Sequence, residues 1–151
     1  MAVEVDADVF AAAVVAAPEC ALRYCVHLMT DLQIDACAAL HPCLALQFAS
    51  ARLSSSRLDL CAVADPACAL RFAASLLTQV RLEICAALHP DLALRFAAPR
   101  LSVSLVASLA VEAPNIALRF AAEFLPPELT ASLSLEDPCA LLRAAGGVTE
   151  P

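Results

Sequence analysis

Glycine occurs only twice in these 151 residues, at Gly146 and Gly147. A glycine-rich loop that cradles phosphates is therefore excluded from the rest of the chain. Lysine is absent and every basic residue is an arginine; no physical reason for that choice is visible in the sequence. Long hydrophobic runs are missing too, although 62% of the residues are apolar and the mean hydropathy is +0.78. The longest run, VFAAAVVAA at 9–17, is about half of the ~20 residues a membrane-spanning helix needs, and Pro18 ends it. Glu4, Asp6 and Asp8 stand near the first residue in place of a basic segment, so no signal peptide is expected. These absences lead to the expectation of a soluble, cytoplasmic protein with no membrane partner. The net charge of −7 argues against nucleic-acid binding by the surface as a whole.

What is present is a repeat. Pro18, Pro42, Pro66, Pro90, Pro114 and Pro138 stand 24 residues apart without insertion or deletion. A fixed period of this size is the mark of stacked structural units. With each Pro counted as position 1, position 5 is Leu in every copy: Leu22, Leu46, Leu70, Leu94, Leu118 and Leu142. Position 12 is Met29, Leu53, Leu77, Leu101 and Leu125, and position 20 is Cys37, Cys61, Cys85, Leu109 and Leu133.

Each unit reads as two short helices. Proline is favoured at the first position of a helix, where its missing N–H is not needed. The residue before it is Asp65 or Asp137 in some copies, a good N-cap type, and His41, His89 or Ala113 in others, which are weaker. Apolar residues at positions 4, 7, 8 and 11 or 12 then predict one buried face of the first helix. Thr30, Ser54, Thr78 and Ser102 at position 13 predict a second start, and positions 17, 20 and 21 continue its apolar stripe. Asp6 takes the place of position 13 ahead of a lone second helix. The segment PCALLRAAGG reads as a lone first helix with a glycine stop.

The expected architecture is an all-α solenoid in a single domain, 1–151. It comprises a half repeat (1–17), five full repeats (18–41, 42–65, 66–89, 90–113 and 114–137) and a half repeat (138–151). At roughly 8–10 Å per helical layer the stack would be about 50 Å long. The segments LPPELTASLSLEDPCALLR at 125–143 and HPDLALRFAAPRLSVSLVASL at 89–109 carry the pattern of the leucine-rich repeat variant family. That pattern is roughly D-P-x-x-x-V-R-x-x-V-A-x-x followed by L-P-x-E-L-L-x-x-L-A-x-D-P, and the whole chain resembles it. The resemblance implies a right-handed superhelix whose second helices are partly 3₁₀, and a recognition scaffold rather than an enzyme. Some members carry a separate Cys-rich cluster-binding segment; no such segment is seen here, so no cofactor is expected. The sequence departs from the pattern in having Leu before the Arg, and Phe or Tyr after it.

The Arg of that pattern is position 6: Arg23, Arg71, Arg95, Arg119 and Arg143, with Gln47 in the remaining copy. It falls opposite the apolar stripe, so stacking would align these side chains. Two roles are open. A row of guanidiniums can fork onto carboxylates or phosphates of a partner. Alternatively, each Arg can stitch layers by laying its stem over the next helix, or by pairing at i,i+4 as in Glu19–Arg23 and Asp91–Arg95. A second candidate surface is the acidic row at position 18, Asp35, Asp59 and Glu83, whose other reading is a solvated face.

The eight cysteines form no CxxC pair. Those at position 20 alternate with Leu, and Cys20 and Cys68 share position 3 with Leu44, Leu92, Ile116 and Ala140, so all of these read as small buried hydrophobes. Reduced thiols are the expectation for a cytoplasmic chain. Metal and iron–sulfur sites need thiolates within coordination distance, and residues one repeat apart are expected to lie too far apart to share an ion. His27, His41 and His89 belong to no ligand-like cluster, and no nucleophile–base pairing follows from the spacing. The sequence thus points to a protein–protein interaction module with an unidentified protein partner and the option of self-association through its ends. Anion or nucleic-acid binding by the Arg row is the alternative, with a metal or cluster protein behind it.

Overall fold

A computed structural model of the chain describes residues 4–136, 138, 139 and 142. Among these the protein is helical throughout and contains no strand. No helix among them is long and apolar enough to cross a membrane. The chain divides into two compact units, 1–77 and 78–151. Arg143 and most of the expected C-terminal half repeat lie outside the described residues.

The first unit holds α1 (Ala7–Ala16), α2 (Pro18–Tyr24), α3 (Asp31–Leu40), α4 (Pro42–Ala49), α5 (Ser55–Ala64) and α6 (Pro66–Ala73). Single 3₁₀ turns at Val26–Leu28 and Ser50–Arg52 follow α2 and α4. Each helix packs on the next and on the one after it: α2 on α4, α4 on α6, α1 on α3 and α3 on α5. The second unit holds α7 (Gln79–Leu88), α8 (Pro90–Phe96), α9 (Val103–Glu112), α10 (Pro114–Phe120) and α11 (Pro127–Glu136), with 3₁₀ turns at Ala98–Arg100 and Ala122–Phe124. There α8 packs on α10, and α9 lies against both.

The helix starts follow from local chemistry. Proline is the first residue of α2, α4, α6, α8 and α10. Of the residues before these prolines, Asp65 caps with its side chain, accepting the Cys68 N–H at 3.0 Å. Ala17, His41, His89 and Ala113 make no side-chain cap bond, and there proline's preset φ carries the start. Thr30, Ser54, Thr78 and Ser102 each accept the N–H three residues on, opening α3, α5, α7 and α9. Thr30 and Gln33 complete a capping box, with Gln33 Oε1 accepting the Thr30 N–H at 2.9 Å.

The core differs from expectation at positions 5 and 7. Position 5, outside the expected stripe, is buried at Leu22, Leu46, Leu70, Leu94 and Leu118 but 69% exposed at Leu142; the alanines before the buried leucines, Ala21, Ala45, Ala69, Ala93 and Ala117, are buried as expected. Position 8 is buried at Ala49, Ala73, Ala97 and Ala121. Position 7 is not buried: Tyr24, Phe48, Phe72 and Phe96 are 70%, 40%, 42% and 40% exposed. Helical geometry accounts for this. Positions 4, 5 and 8 centre the buried face near 8, and at about 100° per residue position 7 falls roughly 100° away, on the rim. The 3₁₀ segments also differ from expectation. The second helices are α-helical, and the tight turns instead follow the first helices, where 7–8 residues of α-helix give way to the corner.

Candidate functional site

Positions 6 and 7 place an Arg beside an aromatic ring on the rim of α2, α6, α8 and α10, and Gln47 beside Phe48 on α4. In the second unit the guanidinium carbon of Arg95 lies 5.1 Å from the ring centre of Phe96, and also 5.1 Å from that of Phe120 on the next first helix. Arg119 stacks on Phe120 at the same distance. Each such contact is worth about 0.5–1 kcal/mol at an exposed site. Stacking engages the flat face of a guanidinium and leaves its N–H rim for hydrogen bonds.

In the first unit the Arg23 Nη2 reaches its i,i+4 partner Glu19 at 3.9 Å, with both side chains about half exposed. Beside it a groove of about 360 Å³ is lined by Leu22, Arg23, Tyr24, His27, Phe48 and Arg52, among others. Gln47 and Phe48 continue the rim on α4, and Arg71 and Phe72 on α6, all four exposed.

The acidic row is not a uniform solvated face. Half-buried Asp35 accepts from Ser54 Oγ at 2.7 Å and from the Ser54 N–H at 3.3 Å. It thereby secures the residue that caps α5, one repeat further on. Asp59 is half-buried, and Glu83 accepts from Gln79 Nε2 at 3.0 Å. This position therefore supports structure, at Asp35 most clearly.

Two features escape the sequence reading. The first is Arg52, at position 11. Its Nη1 donates to the Val26 carbonyl at 2.6 Å and its Nη2 to the Met29 carbonyl at 2.7 Å, while Nη2 and Nε meet Asp31 Oδ1 at 2.8 and 3.2 Å. Arg95, over Phe120 of the next first helix, makes a contact of the kind expected of position 6, and here Arg52 adds bonds to carbonyls of the preceding corner. No pattern announced it, because position 11 is otherwise Leu28, Leu76, Arg100 or Phe124.

The second is a disulfide between Cys43 and Cys68, whose Cα atoms are 5.6 Å apart. It corrects two expectations: that the thiols are reduced, and that residues one repeat apart cannot share a site. The pair is separated by 25 residues, one more than the period, which sets position 2 of one first helix against position 3 of the next. The Asp65 carboxylate joins them, so that one ligand atom from each of the three residues lies within 4.8 Å of the others. Of the free cysteines, Cys37, Cys61 and Cys85 are buried and Cys20 and Cys139 exposed. Burial pushes the Cys37 thiol above the usual range. Burial also raises Cys61; Arg57 opposes that shift and Asp35 adds to it.

Comparison with protein-family models, curated proteins and solved structures finds no match.

Proposed function

We propose that the chain is a non-enzymatic protein–protein interaction scaffold, a stack of 24-residue helical repeats of the leucine-rich repeat variant type acting in the cytoplasm. The packing of successive first helices within each unit supports the stacking. The observation that carries the function is the rim of Arg beside exposed aromatic side chains at positions 6 and 7. An exposed ring flanked by a guanidinium suits a partner segment that carries carboxylates next to apolar side chains. The carboxylate meets the N–H rim, and the apolar group lies on the ring. The groove beside Arg23 and Tyr24 gives such a side chain a concave seat. Extended repeat surfaces also accommodate long, flexible partners.

The test is a pull-down from host lysate, read by mass spectrometry, comparing the wild type with Arg71→Glu/Arg95→Glu. Circular dichroism and thermal melting first establish that the variant is folded. A protein held by the wild type and lost by the folded variant supports the reading. Equal retention of every captured protein contradicts it. Oligonucleotide binding that falls steeply with salt would move the function to the alternative, anion recognition by the Arg row.

A further inference from the structure

The Cys43–Cys68 pair lies where two first helices meet, Cys43 in the first turn of α4 and Cys68 in the first turn of α6. Helix N-termini stabilise thiolates, the form in which cysteine binds metal. Asp65 sits at the start of α6, with Oδ1 accepting the Cys68 N–H, which leaves its other oxygen outside that bond. All three residues are half-buried: shielded enough to desolvate a small ion, open enough to admit one. Ligand atoms around a tetrahedral zinc ion stand roughly 3.3–3.8 Å apart, as its bond lengths of about 2.0–2.3 Å require. The three groups meet within 4.8 Å, so small side-chain rotations close the set once the sulfurs part.

From this geometry we infer that the dithiol form of the chain binds one thiophilic d¹⁰ divalent cation, of the zinc and cadmium class, through Cys43 Sγ, Cys68 Sγ and an Asp65 carboxylate oxygen. The disulfide is the metal-free oxidised state of the same residues. Two thiolates and one carboxylate leave a fourth tetrahedral position for water, as in three-ligand zinc sites. Binding and oxidation exclude each other because both consume the same sulfurs. The steps balance. A phosphine reductant attacks the S–S bond and supplies two electrons. One water supplies two protons to the thiols and its oxygen to the phosphine oxide. The metal then displaces both thiol protons to solvent.

The experiment uses the full chain, reduced with a phosphine, desalted without oxygen and titrated with Cd²⁺. Ultraviolet thiolate-to-cadmium charge transfer and the metal-to-protein ratio after gel filtration are the readouts. The expected result is one Cd²⁺ per reduced chain and none on the oxidised chain. Cys43→Ser and Cys68→Ser should each lose at least ~100-fold in affinity, and Asp65→Asn about 10-fold, in the range for losing a group that supports a metal. Asparagine still caps α6, so the last variant keeps the fold. A Cys20→Ser/Cys139→Ser control should bind like the wild type. An absence of binding by the reduced chain, equal binding by the oxidised chain, or undiminished binding by Cys68→Ser overturns the inference. The comparison of oxidised and reduced wild type decides the matter even if a cysteine variant fails to fold.

Discussion

Arg52 reaches back 21 residues to set its Nη2 2.8 Å from Oδ1 of Asp31, while the same guanidinium donates to the carbonyls of Val26 and Met29. Those carbonyls belong to the corner between α2 and α3, so one side chain of the next corner satisfies backbone acceptors there. The ion pair alone is weak, because Asp31 is 76% exposed. The carbonyl bonds matter more.

Arg52→Ala is therefore expected to cost about 1–2 kcal/mol in urea unfolding, since it removes charged donors from two carbonyls. Asp31→Asn should cost no more than about 0.5 kcal/mol, the scale of an exposed pair. Equal costs would mean that the ion pair, and not the corner, is the useful contact.

Asp35 and Ser54 should behave as one unit. Asp35→Ala is expected to lower stability by about 1 kcal/mol, and Ser54→Ala by a similar amount through loss of the α5 cap. The double variant should cost clearly less than the sum, as groups sharing a hydrogen bond couple by about 0.5 kcal/mol or more. Strict additivity in a double-mutant cycle would contradict the shared role.

Reducing the Cys43–Cys68 bond opens a loop of 25 residues. The chain-entropy relation gives a loss of about 3.5 kcal/mol for a loop of this length. Unfolding in guanidinium with and without reductant measures it. Peptide mapping of the unreduced protein should recover the two cysteines in one linked pair.

Alkaline pH should weaken the fold. Burial raises the Cys37 and Cys61 thiols, so above an ordinary thiol pKa of roughly 8.5 the unfolded chain releases protons that the folded chain still holds. Stability from these thiols is thus intact below that pH and falls as pH rises beyond it. Melting temperatures measured from pH 7 to 10 should decline, and Cys37→Ala/Cys61→Ala should flatten the decline despite a lower starting point. An unchanged slope in that variant would remove the thiols as its cause.

Much of the helical frame was legible in the sequence because it rests on local rules. Proline at position 1 and Thr or Ser at position 13 mark helix starts without reference to the rest of the molecule. Cys or Leu at position 20 marks a buried stripe by period alone, whereas Leu at position 5, just as regular, falls outside the stripe that positions 4, 7 and 8 suggest. The aromatic at position 7 was misplaced because hydrophobicity outweighed angle: a ring on the rim of a short helix is apolar yet half-exposed. Arg52 and the Cys43–Asp65–Cys68 cluster were missed for a different reason. Their partners lie 21 to 26 and 25 residues away, and only the packing of α4 on α2 and on α6 brings them together. Spacing near one period does not single out the cysteine pair, because Cys20–Cys43, Cys37–Cys61 and Cys61–Cys85 share it. Arg52 gave only a weak signal, since its position is Arg again at Arg100 but Leu or Phe elsewhere.

The scaffold reading depends on the 24-residue segment being the unit that stacks, and a deletion reads this most directly. Excising residues 90–113 joins His89 to Pro114, restoring the junction between one copy and the next. The account predicts cooperative urea unfolding with a smaller m-value, because less surface is exposed, and helical content per residue close to that of the full chain. Excising residues 90–107 instead, which breaks the period, should destroy cooperativity. If both deletions unfold alike, the period is not the structural unit and the stack is contradicted.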